Sequence, residues 1–309
     1  MPAGKVVVVG SLNADLTVRT ERFPSPGETL NGSELVIVPG GKSANQAAAA
    51  AILGAHVRLF GAVGADGHGD LLLEAAAAAG VDASRVLRRS GTATGTAMIV
   101  VDAAGENTII VSPGANGTVT GGELPSDLFD GAAVLTLSLE VPLEAVTAAA
   151  QAGHDAGAQV LLNLSPYREV PAELLELTDV LLLNAHEAAL VTGLADPAAD
   201  WEAVIAALDA LGVRRTIITL GGDGAVVLDG TAAGDGRVVA VAPTKVNAVD
   251  TTGCGDAFTA ATAARLAAGN SLAEAARFAA RAGALAATRE GAQSSYPVLR
   301  GLLEQDALS

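Results

Sequence analysis

The chain is poor in cysteine, in basic residues and in long apolar runs, and each shortage removes a class of function. Its 309 residues include one cysteine, Cys254, so neither an internal disulfide framework nor a multi-cysteine zinc site can form. Lys and Arg number 18 against 34 Asp and Glu, giving a formal charge of −16, and they are not gathered into blocks. Affinity for a nucleic-acid backbone comes from basic side chains displacing counterions, so this balance excludes nucleic acid as a partner. No apolar run approaches the ~20 residues that span a bilayer. The segment from Met1 to Val9 leads directly into a strand pattern without a signal-peptide layout, so a soluble cytoplasmic protein with no membrane partner is expected. What the chain has in quantity is apolar residues, 50% of the total, which excludes a disordered chain.

Short β-branched runs alternate with Ala-rich helical stretches, the pattern of a mostly parallel sheet covered by helices on both faces. Val6 to Val9, Val57 to Val63, Val134 to Leu137, Val160 to Leu162, Val180 to Leu183 and Thr216 to Leu220 are nearly continuous in apolar residues, as strands buried on both sides are. Helices are expected over Ser43 to Leu53, Pro142 to Ala156, Trp201 to Leu211, about Asp256 to Ala268 and Ala273 to Thr288. The first of these carries a capping-box pattern, Ser43 followed by Gln46. Two stretches depart from this rhythm. Leu12 to Arg19 alternates with period 2, which points Asn13 and Asp15 the same way. Thr94 to Val101 and Thr108 to Val111 read as a hairpin, and with Glu34 to Val38 they would make a small protruding sheet. Such a sheet cannot bury its own faces, so it requires a ligand on one side and an apolar partner, such as a second subunit, on the other.

The segment Asp250-Thr251-Thr252-Gly253-Cys254-Gly255-Asp256 lies between a strand-like stretch and an apolar helix. Its glycines let the backbone turn tightly and expose successive N–H groups, and the helix start adds positive potential, which together make an anion site. Asp256 beside that anion is either there to accept a proton or is an ordinary acidic residue in a first helical turn. Pro39-Gly40-Gly41-Lys42-Ser43-Ala44-Asn45-Gln46 has the end of a phosphate-binding loop but Val36 where that loop needs glycine. It is either a Gly-Gly turn that brings Lys42 and Asn45 to a polar ligand or a plain capped helix. Glu140, Asn163, Asn184 and Gly221 to Gly224 each follow a buried strand, at the edge where open α/β sheets bind ligands. The pair Asn184 and Glu187 could hold a hydrated Mg²⁺. Cys254 reads as a small residue fitted into a tight turn, its thiol open to modification, with no base-like neighbour in sequence.

Gly10 to Asp15, Pro39 to Gln46 and Asp250 to Asp256 resemble the two signatures of the ribokinase family of carbohydrate kinases. The similarity continues through Gly114-Ala115-Asn116, Glu140, Asn184 to Glu187, Thr219-Leu220-Gly221 and Thr288 to Gln293, and so covers essentially the whole chain. The resemblance implies one α/β kinase domain over residues 1–309, with a lid built from insertions at about 12–38 and 94–111. It implies transfer of the ATP γ-phosphoryl group to the primary hydroxyl of D-ribose, with another sugar, a nucleoside, or silent sugar binding as alternatives. Asn13, Asp15, Gly41, Lys42, Asn45 and Glu140 would hold the sugar. Asp256 would be the base, and Gly253, Cys254 and Gly255 the anion hole. Asn184, Glu187, Thr219, Leu220, Gly221, Gly222, Asp223, Gly224 and Gly255 would serve ATP, with Glu187 toward Mg²⁺. An activating K⁺ would sit among Asp250, Thr252, Ala286, Arg289, Gly291 and Ser295. A homodimer through the lid sheet is expected as well. The family usually has glycine at position 43, so Ser43 is expected either near the sugar or at the helix cap.

Overall fold

The computed structural model describes residues 4–306, with side chains through 302, so the expected approach to the first strand at Met1 to Ala3 lies outside it. After β1 (Lys5–Val9) the chain forms β2 (Asn13–Arg19), β3 (Val36–Gly40), helix α1 (Lys42–Ile52), β4 (His56–Phe60), β5 (Ala62–Gly64) and α2 (Gly67–Ala78). It continues through β6 (Leu87–Arg89), β7 (Gly95–Val101), β8 (Asn107–Ser112), β9 (Ala132–Leu137), α3 (Leu143–Asp155), β10 (Gln159–Asn163), α4 (Ala172–Glu176) and β11 (Val180–Asn184). It ends with α5 (Ala185–Thr192), α6 (Trp201–Asp209), β12 (Arg215–Thr219), β13 (Ala225–Asp229), β14 (Val238–Val241), α7 (Cys254–Ala267), α8 (Leu272–Ala286) and α9 (Leu299–Asp306).

The main sheet has the order β14-β13-β12-β11-β10-β9-β1-β4. It is parallel from β4 to β12 and closes with the antiparallel β13 and β14. Alternation along β1 shows why its valine run is continuous. Val6 and Val8 enter a core with α1, α7 and α8, while Val7 and Val9 enter a second core with α3 and α6. Both faces of the strand are therefore buried, the condition for parallel sheets, and the architecture has the three expected layers. Each fully buried leucine of these cores, such as Leu135 and Leu161, contributes about 1.5–3 kcal/mol relative to exposure.

One expected strand divides. Val57 to Val63 breaks at Gly61, where a Cβ would lie 2.2 Å from the carbonyl oxygen of Gly10. The residues after it leave the main sheet as β5, which pairs with β6.

The small sheet has the order β3-β2-β7-β8. Its hairpin closes through Asp102, whose Oδ1 accepts the N–H groups of Ala104 (2.9 Å) and Glu106 (3.0 Å). β3 starts two residues later than the expected Glu34, pairing with β2 from Val36 opposite Thr17 to Gly40 opposite Asn13. Val36, Ile37, Val38, Met98, Ile109, Ile110 and Val111 on this sheet are 38–59% exposed, so much of its apolar surface has no cover within the chain.

Candidate active site

Three segments converge at the carboxyl edge of the main sheet. Period 2 along β2 places Asn13 and Asp15 on one face, next to the turn that enters α1. Gly40 and Gly41 are glycines because that turn runs against β2. A Cβ at Gly40 would lie 2.1 Å from Asp15 Oδ2, and one at Gly41, where φ is +86°, would lie 2.6 Å from the Asn13 nitrogen. Asn13 is oriented from behind. Asn116 donates from Nδ2 to Asn13 Oδ1 (2.7 Å) and is itself clamped by the Leu12 N–H and C=O, both at 3.0 Å. The sequence motif around Asn116 was legible, but its role as a brace comes only from these contacts.

Glu140, three residues past β9, accepts the Ser11 hydroxyl (2.5 Å) and the Lys42 N–H (2.9 Å) on one oxygen. The helix starting at Lys42 lies alongside α7, whose first turn carries Asp256. Asn45 Nδ2 donates to Asp256 Oδ2 (3.0 Å) and Gln46 Nε2 to Oδ1 (3.1 Å), while Gln293 holds Asn45 through its Oδ1 (3.1 Å). The expected capping box is therefore absent. The N-cap is Gly41, without a side-chain bond, and Gln46 serves Asp256 instead. Ser43 does not cap the helix. It is fully buried, with its hydroxyl 2.8 Å from that of Ser138 and lying in the space that a Cβ at Gly10 would need.

Electrostatics follow from this crowding. Burial raises the pKa of Asp256 above the ordinary carboxylate value, with Lys42, Asn45 and Gln46 acting the other way and Glu140 adding to the rise. Asp15 is pushed up to about 7 by burial, then by Glu140 and Asp256. A buried carboxyl group with a raised pKa is suited to proton acceptance from a bound hydroxyl. Of the sequence-predicted sugar residues, Asn13, Asp15, Gly41, Lys42, Asn45, Glu140 and Asp256 are brought into this one constellation.

The anion turn starts α7. Gly253 has φ +72° and is its N-cap. The Cys254 N–H is engaged by the Thr251 carbonyl (3.2 Å), so the open donors of the turn are the N–H groups of Gly253, Gly255 and Asp256, the last two having no intrahelical carbonyl to bind. Burial, with Asp250 and Asp256, pushes the Cys254 thiol up to about 11. Thiolate is then scarce at neutral pH.

On the far side of the turn lies a cleft of about 560 Å³. Thr219, Gly221, Gly222 and Gly224 form one wall, Pro243 to Val246 another, and Gly255 and Cys254 its inner end. Ala280, Gly283, Ala284 and Ala287 of α8 and its following residue make the floor. Gly224 has φ +92° and no room for a Cβ, which would lie 2.2 Å from the Val241 oxygen. Leu220 packs on the core, and neither it nor Asp223 lines the cleft. Asn184 stands in register beside Thr219, and Glu187 closes a capping box with it, each bond 2.8 Å. The α8 stripe escaped the sequence reading, although its i, i+3, i+4, i+7 spacing marks one face of a helix.

Next to the turn, Asp250 accepts Thr252 N (2.9 Å) and Oγ1 (2.7 Å) on one oxygen and Gly291 N (2.8 Å) on the other. Burial tends to raise its pKa, but these hydrogen bonds outweigh it and hold the group below the ordinary value. The Arg289 N–H is bonded to the Ala286 carbonyl (3.2 Å), and Ser295 turns its hydroxyl to the Ala292 carbonyl (2.8 Å). No group of three or more His, Cys, Asp or Glu among the described residues could hold a metal ion. Nor is any helix there long and apolar enough to cross a membrane.

The model of the pfkB family carbohydrate kinases matches residues 3–299. The chain is 38% identical to ribokinase of Schizosaccharomyces pombe, over 97% of this chain and 96% of the relative, and 36% identical to ribokinase of Haemophilus influenzae, over 97% of each. Among solved structures, Arabidopsis thaliana ribokinase complexed with ribose and ATP superposes with a TM-score of 0.89 at 32% identity, covering 98% of both chains. A family match over nearly the full length, with relatives well above 30% identity, establishes that the chain belongs to the pfkB family of carbohydrate kinases, phosphotransferases whose acceptor is a sugar hydroxyl.

Proposed function

We propose that this chain transfers the γ-phosphoryl group of ATP to the primary hydroxyl, O5, of D-ribose. One observation carries the reading. Asp256 is buried at the junction of a pocket of hydroxyl-binding side chains and a backbone anion turn that opens into a nucleotide-sized cleft. Asn13, Asp15, Lys42, Asn45 and Glu140 supply donors and acceptors for the ring hydroxyls, and the similarity to a ribokinase solved with ribose and ATP supports the pentose. Asp256 accepts the proton as O5 attacks the γ-phosphorus and the bond to the ADP oxygen breaks. The N–H groups of Gly255 and Asp256 bind charge on the transferring oxygens. Gly221, Gly222 and Gly224 let the nucleotide approach the backbone.

Glu187 and Asn184 suit a hydrated Mg²⁺, held through waters and the nucleotide phosphates, because Glu187 is buried and one of its oxygens is committed to the Asn184 N–H. Mg²⁺, when bound, neutralises phosphate charge. Asp250 and the carbonyls of residues 286–295 suit an activating K⁺. The small sheet acts as a lid over the sugar, as part of a single domain, and its exposed apolar residues pair two copies of the chain. The protein acts in the cytoplasm.

An ADP-release panel over pentoses, hexoses and nucleosides, run in K⁺ and in a bulky organic cation, tests the reading. Turnover greatest with D-ribose and raised by K⁺ is expected. Greater turnover with a nucleoside or hexose would reassign the acceptor, and equal rates in both cations would remove the K⁺ site.

A further inference from the structure

A second cavity, of about 610 Å³, lies between β14, the end of α7 and α8, and shares Pro243 and Thr244 with the nucleotide cleft. Its charged lining is basic. Arg265 comes from α7 and Arg277 and Arg281 from α8, against one acidic residue, Glu274. Helix α8 therefore turns small residues to one cavity and arginines to the other. Such a cluster stands out in a chain with 18 basic and 34 acidic residues. Elsewhere arginines stand against carboxylates, as Arg89 does with Glu123 at 2.7 Å and Arg237 with Glu202 at 3.0 Å. Among the described residues, neither Arg265 nor Arg277 is in an ion pair.

Two of these side chains are held before any ligand arrives. Phe278 is 4% exposed, and the guanidinium carbons of Arg265 and Arg281 lie 5.0 and 5.6 Å from the centroid of its ring. Attraction to the ring fixes both groups, but it leaves two like charges near each other in a half-buried place. Burial, and then Arg265, lower the pKa of Arg281 from its ordinary value. Glu274 offsets only part of this charge. Its Oε2 accepts the N–H (2.9 Å) and the hydroxyl (2.7 Å) of Ser271, closing the cap of α8. Those bonds, followed by Arg277 and Arg265, hold its carboxyl below the usual range.

We propose that this cavity binds a doubly charged phosphoryl group, free or carried on a small molecule, among Arg265, Arg277 and Arg281. A dianion matches the surplus of three guanidinium groups over one carboxylate and relieves the repulsion between Arg265 and Arg281. Its oxygens accept the forked N–H pairs of more than one arginine. The cavity is larger than one phosphate, which leaves room for the rest of an ester. The occupant touches Pro243 and Thr244 from beside the nucleotide cleft without taking the place of ATP.

The test saturates the full chain with Mg²⁺ and a non-hydrolysable ATP analogue, which covers the Gly253–Asp256 turn, and then titrates inorganic phosphate in a calorimeter at low salt. Saturable binding is expected. Arg277→Gln, at an exposed position, should weaken it about tenfold through the loss of one charge-assisted contact and leave the melting temperature within about 1 °C. Glu274→Gln keeps the capping-box pattern and removes the one negative charge, so binding should tighten about threefold. No saturable binding, or the same affinity in wild type and Arg277→Gln, overturns the proposal, as does a weaker affinity in Glu274→Gln at an unchanged melting temperature. Ethyl phosphate separates the sources. Binding as tight as that of phosphate assigns the site to phosphate esters, and binding of inorganic phosphate alone assigns it to the free ion. If the analogue itself does not bind, the nucleotide reading fails and the comparison of the variants still decides this one.

Discussion

The two halves of the active site are built from different materials. On the sugar side, charged and amide side chains converge, and three of them are held by a second residue. Asn116 holds Asn13, Gln293 holds Asn45, and Ser11 holds Glu140. On the nucleotide side, glycines and small residues of α8 make one wall and the floor, with Pro243 to Val246 opposite, so much of the cleft is space that larger side chains would fill. A ligand with several similar hydroxyls is told apart by directed hydrogen bonds, so its pocket needs fixed polar groups. A phosphate chain and a flat base ask mainly for N–H groups and close approach, which bare backbone provides. A chain charged −16 has little global attraction for ATP, so local donors have to do that binding.

The contrast breaks most visibly at Asp256. Asp256→Asn keeps the size of the side chain and removes its basicity, and we expect kcat to fall by about 10³ with the circular-dichroism spectrum unchanged. Steady-state ADP release checks this. A loss of tenfold or less would move proton acceptance elsewhere. Asp15→Asn comes next. It should raise the KM for sugar by about 10² and leave KM for ATP within about twofold, since it removes charge-assisted bonds from the sugar half alone. Calorimetric titration with sugar, without nucleotide, measures the same loss directly. Equal damage to both constants would mean that the halves are not separable.

The opposite test fills the other half. Ala284→Leu places a branched side chain on the floor of the cleft and should raise KM for ATP about tenfold, with sugar binding untouched. If sugar affinity falls as well, α8 is transmitting strain to Asp256 through α7. In that case the division into side-chain and backbone halves is too sharp.

The same division decides what could be read from the sequence. Alternation along β1 and β2 gave away both cores and the shared face of Asn13 and Asp15, because the period of a strand is a local property. Motif residues of the sugar half were readable as residue types. Ser43 and Gln46 were not, because the local pattern of a capping box was overridden by partners about 95 and 210 residues away, Ser138 and Asp256. The floor at Ala280, Gly283, Ala284 and Ala287 was missed for another reason. Small residues on a helix carry no chemistry of their own, and their meaning lies in the space they leave.

The smallest expected effect concerns stability, and its sign separates the halves once more. Asp15 ionises near 3.8 when unfolded and near 7 in the folded chain, because burial, Glu140 and Asp256 disfavour its charge. Between those values the folded chain holds more protons than the unfolded one, so stability falls as pH rises from about 4 to about 7 and is flat beyond. Asp15→Asn removes that ionisation. In urea unfolding without ligands, the variant should match the wild type near pH 4 and exceed it near pH 8, by a few degrees in a parallel thermal scan. Ala284→Leu, which neither adds nor removes an ionisable group, should leave the pH dependence as it was. An Asp15→Asn protein that loses stability at pH 8 would show that the carboxylate is already paired before sugar arrives. The sugar pocket would then be a settled network in the free protein, and the strained one, held open for substrate hydroxyls, would be the wrong description.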